Sequence, residues 1–144
     1  MGLEERSHVF TVPTRGKGFV DFTESVAEWL ESVGAEGGLL TVFVTHTSAS
    51  LTIQENADPN VRVDLLDALE RIAPENHPYA HHEEGPDDMP SHIKTMLTST
   101  SLSIPVIEGG MALGIWQGIY LIEHRAAPNQ RRVVLSFIGR LSRS

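Results

Sequence analysis

Histidine is the residue type with the clearest chemical potential in this sequence, because five of its seven histidines fall between positions 46 and 92. These are His46, His77, His81, His82 and His92. Neutral imidazole is the commonest metal ligand near neutral pH, and three imidazoles with a water molecule would make a catalytic zinc-type site. The spacing matches no compact signature such as HExxH. A surface loop with incidental histidines therefore stays an alternative.

The surroundings of His92 favour a functional interpretation. The sequence predicts a helix over 89–97, which puts His92 in its first turn, beside free backbone N–H groups and the positive end of the helix dipole. Such a place binds anions, including phosphate, and favours the neutral form of an imidazole. We expect one of Asp87 and Asp88 to cap this helix and leave the other to orient an imidazole.

Polar side chains at the ends of predicted strands form a second group of candidates. Glu55 and Asn56 follow a short strand, and Glu55 is a candidate general base or metal-orienting carboxylate. Gln117 and Glu123 interrupt the apolar row of a long strand over 113–123, where buried polar groups need partners. We expect Glu123 to pair with an arginine across strands, whereas Gln117 either pairs in the same way or binds a ligand.

The elements that position these residues follow from hydrophobic periodicity. Strands outnumber helices, and the last three strands are expected to form an antiparallel meander after a hairpin turn at 108–110. A long polar loop is expected at 74–88, where no continuous apolar face exists. The predicted strands are 8–12, 39–46, 51–54, 101–107, 113–123 and 131–138, and the predicted helices are 22–33, 89–97 and one from Pro59 that ends before Pro74. The pattern indicates an α+β domain, rich in β-structure, whose helices cover one face of a sheet or sandwich.

Composition narrows the class of protein further. The 144 residues are a size typical of one domain, here 1–144. The sequence has no cysteine, which excludes zinc-thiolate sites and thiol nucleophiles. A net charge of −8 argues against nonspecific nucleic-acid binding. No apolar run is long enough for a membrane span and no leader pattern is evident, so we expect a cytoplasmic protein.

Three long motifs in this chain resemble the YjbQ-like family, also known as secondary thiamine-phosphate synthase. They lie at His46–Pro59 (HTSASLTIQENADP), Glu84–Lys94 (EGPDDMPSHIK) and Leu113–Arg125 (LGIWQGIYLIEHR). The resemblance runs from about residue 8 to 139, which is nearly the whole chain. It implies a β-rich α+β sandwich of mostly antiparallel strands with about three helices, assembled as a homotrimer.

The resemblance also implies a site and an activity. It places a divalent metal, zinc or magnesium, on His46, His81 and His92, although the adjacent His82 leaves the identity of the loop ligand open. The implied reaction joins a hydroxymethylpyrimidine diphosphate to a thiazole phosphate, which gives thiamine phosphate and diphosphate. The partner would thus be a small phosphorylated metabolite. We assign catalytic roles to Glu55, His46 and His92, and substrate-binding roles to Thr47, Ser48, Asn56, Gln117 and Arg125.

Two other classes of function remain open from the sequence. One is a trimeric module that binds a metal or a small metabolite without catalysis. The other is a structural trimer whose surface histidines are incidental. Turnover separates the enzyme from the binding module, and ligand affinity that survives substitution of His46, His81 and His92 would indicate the structural protein.

Overall fold

Strands dominate the described part of the chain, residues 2–142 of this computed structural model. In chain order the elements are β1 (Glu4–Thr14), β2 (Gly18–Asp21), α1 (Thr23–Val33), β3 (Ala35–Val44), β4 (Ala49–Glu55), α2 (Pro59–Ile72), α3 (Asp88–Leu97), β5 (Ser101–Ile107), β6 (Gly110–Met111), β7 (Gln117–Glu123) and β8 (Asn129–Leu141). One sheet has the strand order β1-β8-β3-β5-β6, and the other has the order β2-β7-β4. All pairings are antiparallel.

The hydrophobic core lies between the two sheets. Alternation along β3 buries Leu40, Val42 and Val44, and the same alternation gives the other strands and α1 their inner rows. The fully buried members from those elements are Val26, Leu30, Leu51, Ile119, Leu121, Val133, Leu135 and Phe137. Burial of each large apolar side chain contributes about 1.5–3 kcal/mol. The predicted α+β fold with a β-rich sandwich and three helices is confirmed.

The expected meander of the last three strands is wrong. β5 pairs with β3 and, through the Glu108–Gly109 turn, with the short β6. β7 belongs to the other sheet, and β8 lies between β1 and β3. Both turn residues have positive φ, 50° and 84°, which suits a tight hairpin. Apolar alternation along a strand shows which residues face a core, but it does not say which sheet the strand joins.

The strand predicted over 113–123 starts later than expected. Residues 114–117 form a turn closed by a hydrogen bond from the Gln117 N–H to the Gly114 carbonyl oxygen, 3.0 Å long. The Gln117 side chain also accepts a 2.7 Å bond from the Gly114 N–H. Gln117 is exposed, so it interrupts no buried row. Its side chain completes a turn, which is the task that the sequence left undecided.

The candidate site lies on α3 and on the loop that joins α2 to α3. As predicted, α2 begins with Asp58 as its N-cap, whose carboxylate accepts a 2.9 Å bond from the Asn60 N–H. A polar loop over 73–87 then leads into α3. None of the helices among residues 2–142 is long and apolar enough to cross a membrane.

A set of ion pairs, Lys17, Glu70, Glu75 and Lys94, ties these elements together, and we call it the lysine–glutamate cluster. Glu70 on α2 accepts hydrogen bonds from Lys94 of α3 and from Lys17 of the β1–β2 turn, the latter 3.1 Å long. Lys17 also pairs with Glu75 in the loop. The cluster therefore joins α2, α3, the loop and the β1–β2 turn.

Candidate functional site

Three potential metal ligands meet where the loop enters α3. They are His81, Asp88 and His92, and we call them the histidine–aspartate trio. Each offers one ligand atom, and these atoms all lie within 4.8 Å of one another. Nε2 of His81 is 2.6 Å from Oδ2 of Asp88, and Nε2 of His92 is 3.1 Å from the same oxygen. Asp88 and His92 are one helical turn apart, so they share a face of α3.

The His92 ring is held in a defined tautomer. Its Nδ1 lies 2.8 Å from the Thr47 carbonyl oxygen, which can only accept a hydrogen bond, so Nδ1 carries the proton. When the ring is uncharged, the lone pair of its Nε2 faces an Asp88 oxygen. Two acceptors at that distance need a proton or a cation between them. A backbone carbonyl on the far nitrogen is also how proteins commonly orient a metal-ligating histidine.

Arg125 fixes the carboxylates at the start of α3. Its Nη1 donates to Oδ1 of Asp88 at 2.5 Å, its Nε donates to Oδ2 of Asp87 at 3.1 Å, and its Nη2 donates to the Glu84 carbonyl at 3.0 Å. Every nitrogen of this guanidinium thus has an acceptor. Arg125, expected to hold substrate, holds Asp88 in place.

Asp87 occupies the N-cap position of α3, but its side chain does not cap the helix as expected. Neither Asp87 nor Asp88 makes a side-chain hydrogen bond that caps the helix. The Asp87 carboxylate instead accepts from Arg125 and from the Ala126 N–H at 2.8 Å. The reason is the nearby guanidinium, since a charge-assisted pair is roughly twice as strong as a neutral hydrogen bond.

Electrostatics keep the Asp88 carboxylate ionised. Burial alone would raise the pKa of Asp88, but the hydrogen bond from His81 and the charges of His92 and Arg125 outweigh it and hold this pKa below its ordinary value. The same hydrogen bond with Asp88 raises the pKa of His81. The trio therefore offers a charged oxygen ligand between two ring nitrogens.

His46 lies just past β3 and is not a member of the trio. Its Nε2 accepts a 2.8 Å hydrogen bond from the Arg132 N–H, and its Nδ1 is 3.4 Å from Nη1 of Arg131. Burial, together with the positive charge of Arg131, lowers the pKa of His46. His46 is therefore a neutral, half-buried imidazole at neutral pH.

Beneath His46 lies a buried ion pair between Arg131 and Glu123. Arg131 donates from Nε to Oε1 of Glu123 at 2.7 Å, and its Nη2 bonds Oε2 of Glu123 and the Ser48 hydroxyl, the latter at 3.0 Å. Burial would raise the pKa of Glu123, but the bonds from Arg131 and Thr14 hold it below the usual range. The expected pairing of Glu123 with an arginine is confirmed.

Thr47 and Ser48 take different positions beside these groups. Thr47 is exposed, and its carbonyl oxygen holds both His92 and, at 3.2 Å, the Thr95 hydroxyl. Ser48 is half-buried against Arg131. The segment between β3 and β4 therefore joins His46 to α3.

Glu55 and Asn56 lie at the other end of β4. The Glu55 carboxylate accepts bonds from the Ala57 and Asp58 N–H groups, at 3.1 and 2.9 Å, and so shapes the approach to α2. A seven-residue strand spans about 20 Å. The structure does not bring Glu55, Asn56 or Gln117 to the histidine–aspartate trio.

A cavity of about 260 Å³ opens in the loop beside the trio. Its lining includes His81 and His82, with the His77 and Tyr79 rings 4.7 Å apart. His81, rather than His82, contacts Asp88. The cavity has room for a small molecule, and one trio member lies in its wall.

Comparison with known proteins supplies the family. The family profile described as UPF0047 protein YjbQ-like matches residues 8–140. The chain belongs to the UPF0047 family. A UPF0047 protein of Synechocystis sp. is 44% identical over 138 residues, which is 95% of this chain and 94% of that protein. UPF0047 protein YjbQ of Salmonella typhimurium is 42% identical over 130 residues, covering 90% and 94% of the two chains.

Solved structures agree with this membership. A hypothetical protein from Aeropyrum pernix superposes with a TM-score of 0.86 at 32% identity, covering 94% of this chain and 99% of that one. An uncharacterised YjbQ/UPF0047 protein from Clostridium acetobutylicum gives 0.83 at 34% identity, over 90% and 98% of the two chains. The sequence and structure comparisons thus agree on the family, and the descriptions of these four relatives name no activity.

Two site residues of this UPF0047 chain were only partly assigned from the sequence. Asp88 was expected either to cap α3 or to orient an imidazole, and its spacing of four residues from His92 on a predicted helix, which puts both side chains on one face, favours the second role. Arg131 shares the strand parity of Val133 and Leu135, which marks an inward-facing position. A charged residue in an inward row signals a buried ion pair.

Proposed function

We propose that this UPF0047 protein is a metal-dependent enzyme that acts on a phosphorylated small molecule. The observation that carries the proposal is the convergence of Nε2 of His81 and Nε2 of His92 on one oxygen of Asp88. Two imidazoles and one carboxylate suit zinc, whereas magnesium prefers oxygen ligands. A zinc ion there would polarise a substrate oxygen or lower the pKa of a bound water.

The chain's own residues would prepare this site. The Thr47 carbonyl holds the His92 ring so that Nε2 faces Asp88, and Arg125 holds the carboxylate itself. The cavity beside His81 would admit the substrate. We place His46 in contact with the substrate rather than with the metal, because its Nε2 already accepts a hydrogen bond from the Arg132 N–H.

The specific reaction that we propose to test is formation of thiamine phosphate. Wild-type protein would be incubated with zinc or magnesium, the pyrimidine diphosphate and the thiazole phosphate, and thiamine phosphate would be measured. His81→Ala should abolish product and zinc uptake. His82→Ala is the matched control, because it removes an adjacent exposed histidine that does not contact Asp88.

The outcomes separate the parts of the proposal. Equal zinc content in wild type and His81→Ala would rule out the trio as the metal site. Zinc uptake without thiamine phosphate would reject this reaction, and a wider screen of phosphorylated substrates would follow. Zinc uptake with no turnover in that screen would favour a non-catalytic binding module.

We also propose that the protein forms a homotrimer through the outer face of its five-stranded sheet. Support comes from Leu39, Phe43 and Ile138, which are 43–50% exposed on that face, with Leu39 directly opposite Ile138. Exposed apolar patches mark interaction surfaces. Light scattering should give three times the chain mass, and Phe43→Lys with Ile138→Lys should give a monomer. A monomeric wild type would refute this assembly.

A further inference from the structure

We propose that His46 and Arg131, with the Ser48 hydroxyl, form an oxyanion site that receives a phosphoryl group beside the histidine–aspartate trio. The proposal rests on the proposed function in that it names how the same substrate is held. In this proposal the phosphoryl group is bound by His46, Arg131 and Ser48, and not by Arg125 or by the N-terminus of α3. Each guanidinium nitrogen of Arg125 already donates to Asp87, Asp88 or a backbone carbonyl.

The first step of the argument is the tautomer of His46. A backbone N–H can only donate, so the 2.8 Å contact from Arg132 N makes Nε2 of His46 an acceptor. The proton of the neutral ring therefore sits on Nδ1. Nδ1 lies 3.4 Å from Nη1 of Arg131, which is always a donor. Two donors cannot bond each other, and one oxygen placed beside both would accept from each.

The second step is the inventory of donors on Arg131. Its Nε bonds Glu123, and its Nη2 bonds Glu123 and Ser48. Within residues 2–142, Nη1 approaches the His46 ring at 3.4 Å and contacts no acceptor oxygen. Arg131 as a residue is 5% exposed, and its guanidinium is held in place by the fully buried Glu123 carboxylate. A donor fixed and largely removed from water binds an anion strongly, since no reorganisation is needed.

The third step concerns the shape of the ligand. Because Nη2 and Nε are occupied, Arg131 cannot offer the two-nitrogen fork that suits a carboxylate. The Ser48 oxygen accepts from Nη2, which leaves its own proton to be donated. Donors on three separate groups fit the spread oxygens of a tetrahedral phosphoryl group. Thr47, which links His46 and Ser48, contacts His92, so this site adjoins the trio.

The test is a calorimetric titration of metal-free, chelator-treated protein with inorganic phosphate. His46→Gln keeps an acceptor for the Arg132 N–H but lacks a donor at the Nδ1 position, and we expect at least tenfold weaker binding. Arg132→Gln is the matched control, since it removes a neighbouring charge but keeps its backbone N–H. We expect its affinity to stay within about twofold of wild type. Circular dichroism would verify that both variants fold.

A second measurement needs no variant. Nitrogen-15 spectra of the His46 imidazole in the wild type should show the proton on Nδ1, and phosphate should shift that signal. A proton on Nε2, unchanged affinity in His46→Gln, or equal affinity for acetate would each overturn the proposal. Because the phosphate titration uses metal-free protein, it tests this site separately from the metal centre. A protein that binds phosphate but takes up no zinc would support this inference and contradict the proposed metal centre. Zinc uptake without phosphate binding would do the reverse.

Discussion

Two charged groups that meet at the short helix α3 have opposite characters. The lysine–glutamate cluster matches two cations with two anions, and its member Lys94 is 2% exposed. The histidine–aspartate trio, which shares α3 with Lys94, sets two imidazoles around one carboxylate, and the His81 side chain is 43% exposed. The first group consists of fixed ion pairs, whereas the second directs two ring nitrogens at one carboxylate oxygen.

The difference shows how to tell a structural ion network from a ligand site. Burial would raise the pKa of Glu70, but its bonds from Lys94 and Lys17 hold it below the usual range, so every charge has a permanent partner. In the trio, Asp88 is paired with Arg125 and His81, but the Nε2 lone pair of an uncharged His92 ring would face the same oxygen unless a proton or a cation lay between them. Ring nitrogens that converge on one carboxylate oxygen beside a cavity indicate binding, and fully paired charges indicate support.

The largest effect is expected for Asp88→Asn, which removes the charge that both imidazoles face while it keeps the side-chain shape. Zinc affinity should fall more than about 100-fold, because even partners of metal ligands cost 10–100-fold when removed. Calorimetry with zinc would measure it. Glu84→Gln is the control, since Glu84 contacts His81 but lies outside the trio. Equal zinc affinity in wild type and Asp88→Asn would mean that the histidine–aspartate trio is not the zinc site.

The next effect is expected for Glu70→Gln, which leaves the buried Lys94 ammonium without a carboxylate. The free energy of unfolding should fall by about 3 kcal/mol, the lower end of the cost of an unpaired buried charge, since Glu70 itself is partly exposed. Urea unfolding would measure this value. Zinc affinity should remain close to that of wild type. A variant that keeps its stability but loses zinc would reverse the roles of the two groups.

A smaller, pH-dependent effect is expected at His124, which bonds Ser50, itself bonded to Thr98 at the end of α3. Burial lowers the pKa of His124 to about 3, so only the unfolded chain takes up its proton near pH 5. This stability is present above pH 6.5 and is lost as the pH falls toward 3, at about 1.4 kcal/mol per pH unit.

The measurement for His124 is a comparison of urea unfolding at pH 7 and pH 5. His124→Gln keeps a polar contact for Ser50 but does not titrate, so it should lose less stability on acidification than wild type does. Equal losses in the two proteins would mean that other groups control the acid response. Both proteins should bind zinc alike at pH 7, because His124 belongs to neither charged group.

Much of the fold was predictable because it depends on local patterns. The alternation that buries Leu40, Val42 and Val44, and the Asp58 cap of α2, were written in short stretches of sequence. Strand partners were not, because β7 and β8 both carry buried apolar residues and yet lie in different sheets. That choice depends on contacts between residues far apart in the chain, which periodicity does not encode.

The site was predictable in part for the same reason. His81 and His92 were expected in one site, and they meet at Asp88, one of the two aspartates from which the sequence predicted a helix cap and a partner for an imidazole. Glu55 looked available, yet its carboxylate binds backbone N–H groups about 20 Å away along β4. Sequence patterns identified polar residues without an evident task, but the partners of those residues are decided by the packed strands and helices.

The end of β7 has a consequence for how this chain tolerates insertions and deletions. Three consecutive residues there serve three places: Glu123 bonds Arg131, His124 bonds Ser50, and Arg125 bonds Asp88. Addition or removal of one residue would turn each side chain to the opposite face and break all three contacts at once. The largely exposed 112–116 segment at the other end of the strand makes no comparable set of contacts. Insertions and deletions among relatives should therefore be more frequent in that segment.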